Sequence, residues 1–305
     1  MKYFAFMSAS VLALSMGTAA MADPINYTPN FSGATGLSYG GAGALTGSSV
    51  TLTNVANFNQ GAAVWATNAL SFDPTLNFQS DFSFNIGAQS TGLAGNGFTF
   101  VLTTNPTALG SVHQNLGLGP LNETTPPSVE VQFSTFANKY NNPTFAPGQY
   151  YSNLIAVSTD GNVVIPQNSN SYASPYGVNQ CDNQTATKST RAGCLANGDI
   201  WKAAISYQNG LLSVAVCDPK EAGGTCTASS YITVLTGYAI SLASILGDGP
   251  IYAGFTASNG AVSETVQIDS WNLSPVPEPA SLAALGAGIA ALGLVSRRRR
   301  ANAGV

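Results

Sequence analysis

Charged side chains are scarce in this chain. Asp, Glu, Lys and Arg make up 8% of its 305 residues, whereas soluble domains usually contain about 25%. Between residues 23 and 296, five basic side chains stand against fourteen acidic ones. Nucleic acids and anionic polymers are bound through clustered Lys and Arg, so this composition argues against both as partners. Asn, Ser, Thr and Gly supply neutral hydrogen-bonding groups instead, a composition compatible with a neutral glycan ligand.

Groups for catalysis are equally few. His113 is the only histidine, and no Gly-x-Ser-x-Gly motif surrounds a serine. Glycoside hydrolysis needs two facing carboxylates about 5–10 Å apart. Glu264 and Asp269 lie five positions apart in one predicted strand, which places them on opposite faces. The sequence therefore predicts a protein that is not an enzyme.

Helical periodicity is not convincing between residues 23 and 275, where short β-type runs alternate with turns rich in Gly, Asn, Ser and Pro. A repeat of 20–50 residues is also lacking, which disfavours a propeller or β-helix. We predict an all-β fold, an antiparallel β-sandwich. The eleven predicted strands span residues 49–53, 62–66, 81–87, 97–103, 128–136, 153–157, 200–207, 211–216, 231–235, 251–257 and 265–273.

The N-terminus has the pattern of a secretory signal peptide over residues 1–22. Lys2 is followed by an apolar run from Phe4 to Met16, and Ala20-Met21-Ala22 provides a small-x-small cleavage site. The apolar run is too short to span a membrane. The pattern predicts an exported protein that begins at Asp23.

Only four cysteines are present, and an even number in an exported protein indicates two disulfides. Three pairings are possible. We expect the two sequence-local pairs, Cys181–Cys194 and Cys217–Cys226, because each would close one loop. A zinc site is the alternative, but there is no Cys-x-x-Cys spacing and no nearby histidine.

The C-terminus has three parts in order: the motif Pro277-Glu278-Pro279, an uncharged stretch over residues 280–296, and the run Arg297–Arg300. It resembles the PEP-CTERM sorting tail of bacteria that secrete exopolysaccharide. The resemblance implies a hydrophobic helix that anchors the chain transiently in the inner membrane, with the arginines on the cytoplasmic side. It also implies processing by an exosortase-type protease and delivery to the outer surface or extracellular matrix. An ordinary C-terminal membrane anchor is the alternative reading.

The stretch Ser128–Asn138 alternates Val129, Val131 and Phe133 with polar residues, which predicts a half-buried strand. It resembles the metal-binding strand of L-type (legume-type) lectins, Val-x-Val-Glu-Phe-Asp-Thr-Phe-x-Asn. Seven further segments resemble the same family in the same order, at residues 52–63, 81–84, 95–102, 115–118, 203–214, 253–260 and 268–273. The resemblance implies a jelly-roll, concanavalin-like sandwich over residues 23–274, between the signal peptide and a sorting tail at 275–305.

In that family, an Asp, an Asn, a backbone amide of a Gly-rich loop and an aromatic ring bind one monosaccharide. The Asp follows a cis peptide held by a neighbouring calcium. The resemblance implies that Asn138 matches the Asn, Phe136 matches the aromatic ring, and Asn96 replaces the Asp. His113 and Gln114 would lie in the Gly-rich loop. Asn259 and Gly260 would belong to the loop that tunes specificity.

The family's calcium and manganese ligands are mostly replaced. Gln132 and Ser134 stand at the positions of the two strand acids, Asn142 at that of the loop Asp, and Asn153 at that of the strand His. Calcium prefers several oxygens including carboxylates, so we expect a degenerate metal site and no cofactor. Glu130 and Asp160 are the nearby carboxylates that offer an alternative, and a neutral hydrogen-bond network is expected in place of the metal.

These features predict an exported, lectin-like protein that binds neutral glycan or exopolysaccharide without a metal. The rival prediction is a structural matrix or adhesion protein that uses the lectin fold without binding sugar.

Overall fold

The computed structural model describes residues 24–70, 77–88, 94–106, 116–118, 127–135, 138–139, 150–161, 172–178, 181 and 191–276, with backbone alone for 138–139 and 150–151. The signal peptide and the predicted C-terminal helix lie outside these residues. Seventeen strands occur in the described part: β1 (Ile25–Tyr27), β2 (Leu37–Gly41), β3 (Ala44–Thr46), β4 (Ser49–Thr53), β5 (Gly61–Ala66), β6 (Asn77–Ala88), β7 (Gly97–Thr103), β8 (Ser128–Ser134), β9 (Asn138–Lys139), β10 (Tyr150–Tyr151), β11 (Leu154–Thr159), β12 (Tyr172–Ala173), β13 (Asn197–Gln208), β14 (Leu211–Cys217), β15 (Ile232–Ala239), β16 (Tyr252–Ser258) and β17 (Glu264–Val276).

Two antiparallel sheets form the body. One has the strand order β15-β14-β13-β6-β17-β4-β3, with β1 added beside β17. The other has the order β12-β11-β8-β7-β16-β5-β2. A separate pair joins β9 to β10. The antiparallel sandwich expected from the sequence is confirmed, and each of the eleven predicted strands has a counterpart in it.

The core lies between the sheets and is rich in aromatic rings. Phe82 and Phe84 of β6 point inward from one sheet and meet Phe98 and Phe133 of the other. The rings of Phe98 and Phe133 stack with centroids 4.6 Å apart. Alternation explains this arrangement, because every second side chain of a strand points to the same face. Aromatic contacts of this kind stabilise a core beyond the burial of their area.

The hairpin between β13 and β14 follows its sequence signal. Gln208 pairs with Leu211 across the two-residue turn Asn209-Gly210. Both turn residues have positive φ, 53° and 78°. Asn and Gly tolerate that conformation better than other residues, which is why this dipeptide favours tight hairpins.

Strand β8 differs from the expectation in one respect. Its alternation is as predicted, but all seven of its residues are buried, so the prediction of a half-buried strand is wrong. The polar face of β8 carries Glu130 and Gln132, which bond to Ser158 of the adjacent strand β11. A covered polar face is stable only when its groups find hydrogen-bond partners, and these side chains supply them to one another.

Helix is confined to short segments in the described part. One α-helix, α1 (Leu242–Leu246), is five residues long, and two 3₁₀ turns span Pro175–Gly177 and Ala228–Ser230. The Ser241 hydroxyl caps α1 by accepting a hydrogen bond from the Ser244 amide. Within the described residues, no helix is long and apolar enough to cross a membrane.

Both expected disulfides are present. Cys181 is bonded to Cys194, and Cys217 is bonded to Cys226. Asp218, directly after Cys217, is fully buried and accepts hydrogen bonds from the Gly193 amide and the Asn197 side chain. The two disulfide-closed loops are therefore connected to each other through one carboxylate.

Candidate functional site: a buried carboxylate beneath Asn96

Asn96 lies in the segment Gly95–Gly97, which leads into β7. The carboxylate of Glu264, at the start of β17, binds the backbone of this segment. The Gly95 N–H donates to Oε2 at 3.0 Å, and the Gly97 N–H donates to Oε1 at 2.5 Å. Glu264 is fully buried. One carboxylate thus fixes the backbone on both sides of Asn96.

Thr135, which follows β8, completes the contacts of this carboxylate. Its hydroxyl lies 2.8 Å from Oε2 and 3.0 Å from Oε1 of Glu264. The same hydroxyl lies 3.0 Å from the Gly95 carbonyl oxygen. A hydroxyl carries one proton, so it donates to only one of these acceptors at a time. Thr135 therefore joins the end of β8 to the Asn96 segment.

Burial changes the acidity of Glu264. Desolvation raises its pKa from 4.5 to about 7, and the hydrogen bonds from Thr135, Gly97 and Gly95 oppose that rise without cancelling it. Water stabilises a charged carboxylate better than a protein interior does, and three donors compensate for only part of the loss. The group consequently changes protonation near neutral pH.

Asn96 itself is only 4% exposed, and its side-chain nitrogen donates to the Ser258 hydroxyl at 3.3 Å. Its peptide bond to Gly95 is trans, and the cis bond found among the described residues is Thr28-Pro29. The cis peptide that the family resemblance implies at this position is therefore not present.

The loop after β16 approaches the same segment. Asn259 is fully buried, and its side-chain nitrogen donates to the backbone oxygens of Asn54, Asn57 and Glu264. Its side-chain oxygen accepts from the Glu264 amide at 3.1 Å. These bonds occupy the amide, so in this structure Asn259 shapes the loop around Gly260 from within. Gly260 accepts a hydrogen bond from the Asn59 amide.

The described end of the expected Gly-rich loop also packs here. The Leu116 carbonyl accepts a hydrogen bond from Thr256 of β16 at 2.9 Å. A Cβ on Gly117 would come within 2.3 Å of the Ala257 carbonyl oxygen, so only glycine fits at this approach. The structure thus gathers Asn96, Gly260 and the end of this loop around the C-terminal end of β16.

Several expected site residues are not described as fully. The backbone of Asn138 pairs with Tyr151 in the β9–β10 ladder. The expected residues Phe136, Asn142, His113 and Gln114 lie outside the described residues, as does the motif Pro277-Glu278-Pro279.

The described metal positions do not form a set that suits calcium or manganese. The Gln132 side-chain nitrogen donates to the Ser158 hydroxyl at 2.6 Å. The side-chain nitrogen of Asn153 donates to the carbonyls of Val178 and Gly193, and its oxygen accepts from the Leu195 amide. Both amides are hydrogen-bonded to other groups of the protein and carry no negative charge, whereas calcium sites need carboxylates.

Both carboxyl oxygens of Glu130 also accept hydrogen bonds from other groups of the protein. Oε2 accepts from the Ser158 hydroxyl at 2.7 Å, and Oε1 accepts from the Gly161 amide at 3.1 Å. Desolvation raises the pKa of this fully buried carboxyl. Asp160 is exposed on the adjacent turn. Within the part of the chain that the structure describes, no three His, Cys, Asp or Glu side chains group as metal ligands would.

Sequence reasoning considered Glu264 only as one carboxylate of a glycosidase pair. The structure places it inward at the start of β17 and Asp269 on the half-buried outer face of the same strand. The available signal was the pair of glycines around Asn96, since closely spaced glycines mark a backbone that approaches another group closely. Nothing local identified the distant carboxylate as that group.

Comparisons with known proteins agree with this architecture. Residues 26–285 match the model of the legume lectin domain, and residues 275–300 match that of the PEP-CTERM protein-sorting motif. No curated protein matches the chain.

Solved structures of similar fold include lectin I-B4 from Griffonia simplicifolia in a metal-free form, with a TM-score of 0.61 and 20% identity over 84% of this chain and 100% of that one. A Bauhinia forficata lectin in complex with GalNAc gives a TM-score of 0.60 and 18% identity over 84% of this chain and 98% of that one. Arcelin-5, a lectin-like defense protein from Phaseolus vulgaris, gives 0.59 and 18% over 85% of this chain and 100% of that one. Since the family model covers most of the sequence, the chain belongs to the legume lectin domain family and carries a PEP-CTERM sorting motif.

Proposed function

We propose that this protein is an exported lectin that binds neutral glycan at the end of β16. The observation that carries the proposal is the gathering of Asn96, Gly260 and the Leu116–Leu118 segment at one end of a legume lectin fold. The scarcity of basic side chains favours a neutral ligand over an anionic one.

In this proposal Asn96 and Asn138 exchange hydrogen bonds with sugar hydroxyls, and Phe136 stacks on the apolar face of the ring. A side-chain amide offers both a donor and an acceptor to such hydroxyls. Asn259 and Gly260 contribute by shaping the neighbouring loop. Binding by neutral groups lacks charge assistance, so the affinity for a single sugar is weak.

Glycan binding is proposed to be independent of metal. Two residues at which the resemblance places metal ligands, Gln132 and Asn153, support this, because their amides are hydrogen-bonded to Ser158 and to the Gly193 carbonyl. The protein is also proposed to be a binding protein with no enzymatic activity, because Glu264 and Asp269 lie on opposite faces of β17.

The sorting motif supports a proposed route to the cell surface. After removal of a signal peptide over residues 1–22, the tail at 275–305 anchors the chain transiently in the inner membrane. An exosortase-type protease then processes it near Pro277-Glu278-Pro279. The lectin domain, residues 23–274, then reaches the outer surface or the exopolysaccharide matrix.

The second candidate is a structural matrix or adhesion protein that uses the fold without binding sugar. The low exposure of Asn96, 4%, and the complete burial of Asn259 favour it. In that case the amides near β16 serve only to hold their own loops.

A printed array of neutral oligosaccharides, probed with and without EDTA, separates the two candidates. We expect binding that persists in EDTA and is lost in Asn96→Ala and Asn138→Ala. The matched control is Asn272→Ala, which removes a half-buried amide from the middle of β17, away from the site. No binding by the wild type, or full binding in both site variants, would favour the structural role.

A further inference from the structure

We propose that Glu264 is the positioning residue of the glycan site: its carboxyl group holds the Gly95–Gly97 segment and thereby fixes where Asn96 lies at the site. This inference rests on the proposed function, because it assumes that Asn96 lies at a sugar-binding site. The hydrogen bonds between Glu264 and the Gly95–Gly97 segment do not depend on that assumption. Nothing in the family resemblance assigns a role to this side chain.

The contacts fix position and orientation together. Two backbone amides, one on each side of Asn96, donate to different oxygens of the same carboxyl group. The segment cannot rotate about one bond without breaking the other. Because Glu264 starts β17, which pairs with β6 along twelve residue pairs, the carboxyl group is carried by a rigid strand and not by a loop.

The backbone is also shaped to reach the carboxyl group. A Cβ on Gly95 would lie 2.8 Å from the Asn259 side-chain oxygen and 3.0 Å from Cγ of Glu264. Gly97 has φ of 100°, and a Cβ there would lie 2.0 Å from the Phe133 carbonyl oxygen. Both approaches are too close for a side chain. Gly95 is therefore required by the close contact with Glu264 and Asn259, and Gly97 by its positive φ and its close approach to the backbone of β8.

The groups that face the carboxyl group are neutral. They are the Gly95 and Gly97 amides from the segment before β7 and the Thr135 hydroxyl from the end of β8. The neighbouring Asn259 side chain, also neutral, bonds to the backbone of Glu264. Among the described residues, no charged side chain contributes to the shift of the Glu264 pKa. Glu264, Gly95, Gly97 and Thr135 together form a clamp on the Asn96 segment. It consists of a buried acid and the neutral groups that donate hydrogen bonds to it.

Thr135 lets the clamp accommodate either protonation state. With the carboxylate ionised, the hydroxyl donates to it. With the carboxyl group protonated, the acid donates to the Thr135 oxygen, and the hydroxyl turns to the Gly95 carbonyl oxygen, 3.0 Å away. In both states the glycine amides keep an acceptor. An amide at position 264 is different, because its NH₂ group cannot accept a hydrogen bond from a glycine N–H.

The test compares Glu264→Gln with Asp269→Asn in the full-length protein. The control removes a carboxylate from the same strand that faces away and contacts Ser49. We expect Glu264→Gln to reduce binding to the neutral oligosaccharide array at least tenfold and Asp269→Asn to change it less than twofold. In NMR spectra, the amide protons of Gly95 and Gly97 should titrate together in the wild type and shift in Glu264→Gln.

A second pair of variants covers the case in which Glu264→Gln does not fold. Thr135→Val removes the hydroxyl and should weaken array binding several-fold, whereas Thr135→Ser keeps it and should bind as the wild type does. Unchanged binding in Glu264→Gln, or glycine amides that do not respond to it, would overturn the positioning role. A wild type that binds no glycan while its glycine amides respond would instead support the clamp and overturn the proposed function.

Discussion

The Gly97 N–H donates a hydrogen bond to the carboxylate of Glu264, 167 residues later in the chain. This contact crosses the sandwich from the start of β7 in one sheet to the start of β17 in the other. It fixes the relative position of the two sheets at the end where the candidate site lies. Because the pKa of this buried carboxyl group is raised, the stability of the fold should depend on its protonation.

Stability should fall as pH rises through neutrality. The folded-state pKa of Glu264 is about 7 and its ordinary value is 4.5, so the folded protein binds this proton more tightly than the unfolded chain does. The contribution is fully present below about pH 4.5 and is lost as pH rises through 7. The shift corresponds to about 3 kcal/mol at most. Thermal unfolding of the wild type should therefore give a lower Tm at pH 8 than at pH 5.

Glu264→Gln separates this effect from that of the other buried acids, such as Glu130, whose pKa values are also raised. The variant should flatten the dependence of Tm on pH between 5 and 8. The control, Glu221→Gln, removes an exposed carboxylate and should leave the dependence as it is. A variant curve parallel to that of the wild type would show that Glu264 does not titrate in this range.

Gly95→Ala should destabilise the protein and weaken glycan binding together. The added methyl group would meet Cγ of Glu264 and the Asn259 oxygen at 3.0 and 2.8 Å, so the segment or the acid must move. Overpacking of this kind costs about 1–3 kcal/mol. Gly87→Ala is the matched control, because its methyl group would meet nothing closer than 3.9 Å. Urea unfolding with array binding measures both effects, and equal stability of the two variants would contradict the close packing.

Asn153→Ala should destabilise the fold by about 2–4 kcal/mol, because it leaves two carbonyls and one amide without their buried partner. Asn272→Ala, which truncates a half-buried amide, should cost less than about 1 kcal/mol. Urea unfolding measures both. A small effect at Asn153 would mean that these bonds are replaced readily, and would reopen the position as a ligand.

Calcium should change the stability little. A ligand that binds only the folded state stabilises it in proportion to the logarithm of its concentration over Kd, and the neutral side chains at the family metal positions favour weak binding. We expect Tm in 1 mM calcium to lie within about 1 °C of that in EDTA. A rise of several degrees, with a calorimetric site of micromolar affinity, would contradict the proposal of metal independence.

Particular residues show how much of the fold can be predicted from local sequence patterns. The alternation in β6 and β7 and the Asn209-Gly210 turn predicted strands and a hairpin that the structure contains. The six short strands β1, β2, β3, β9, β10 and β12 were missed because each is two to five residues long and forms mainly through its partner strand. The helix α1 was missed for the same reason, since five residues cannot establish a helical period.

For the candidate site, the sequence and the structure contribute different information. Asn96 was selected because its segment resembles a family motif, and its role as a sugar ligand stays a prediction. Its burial and its carboxylate partner came only from the structure. Glu130 was considered as a metal ligand, and the structure instead shows both of its oxygens bonded to Ser158 and Gly161. These hydrogen bonds depend on which side chains meet across strands that are distant in sequence, and no local pattern contains that information.

The sequence by itself determined the β class, the family and the sorting motif, and it favoured the two local disulfides, because alternation, cysteine spacing and ordered motifs are properties of neighbouring residues. Only the tertiary structure decided that Glu264 binds the backbone beside Asn96, that the Asn259 amide is hydrogen-bonded within its own loop and that strand β8 is buried on both faces. The physical reason is that burial and hydrogen-bond partnership arise where two sheets and their loops meet. There a residue's neighbours are set by packing and not by chain order.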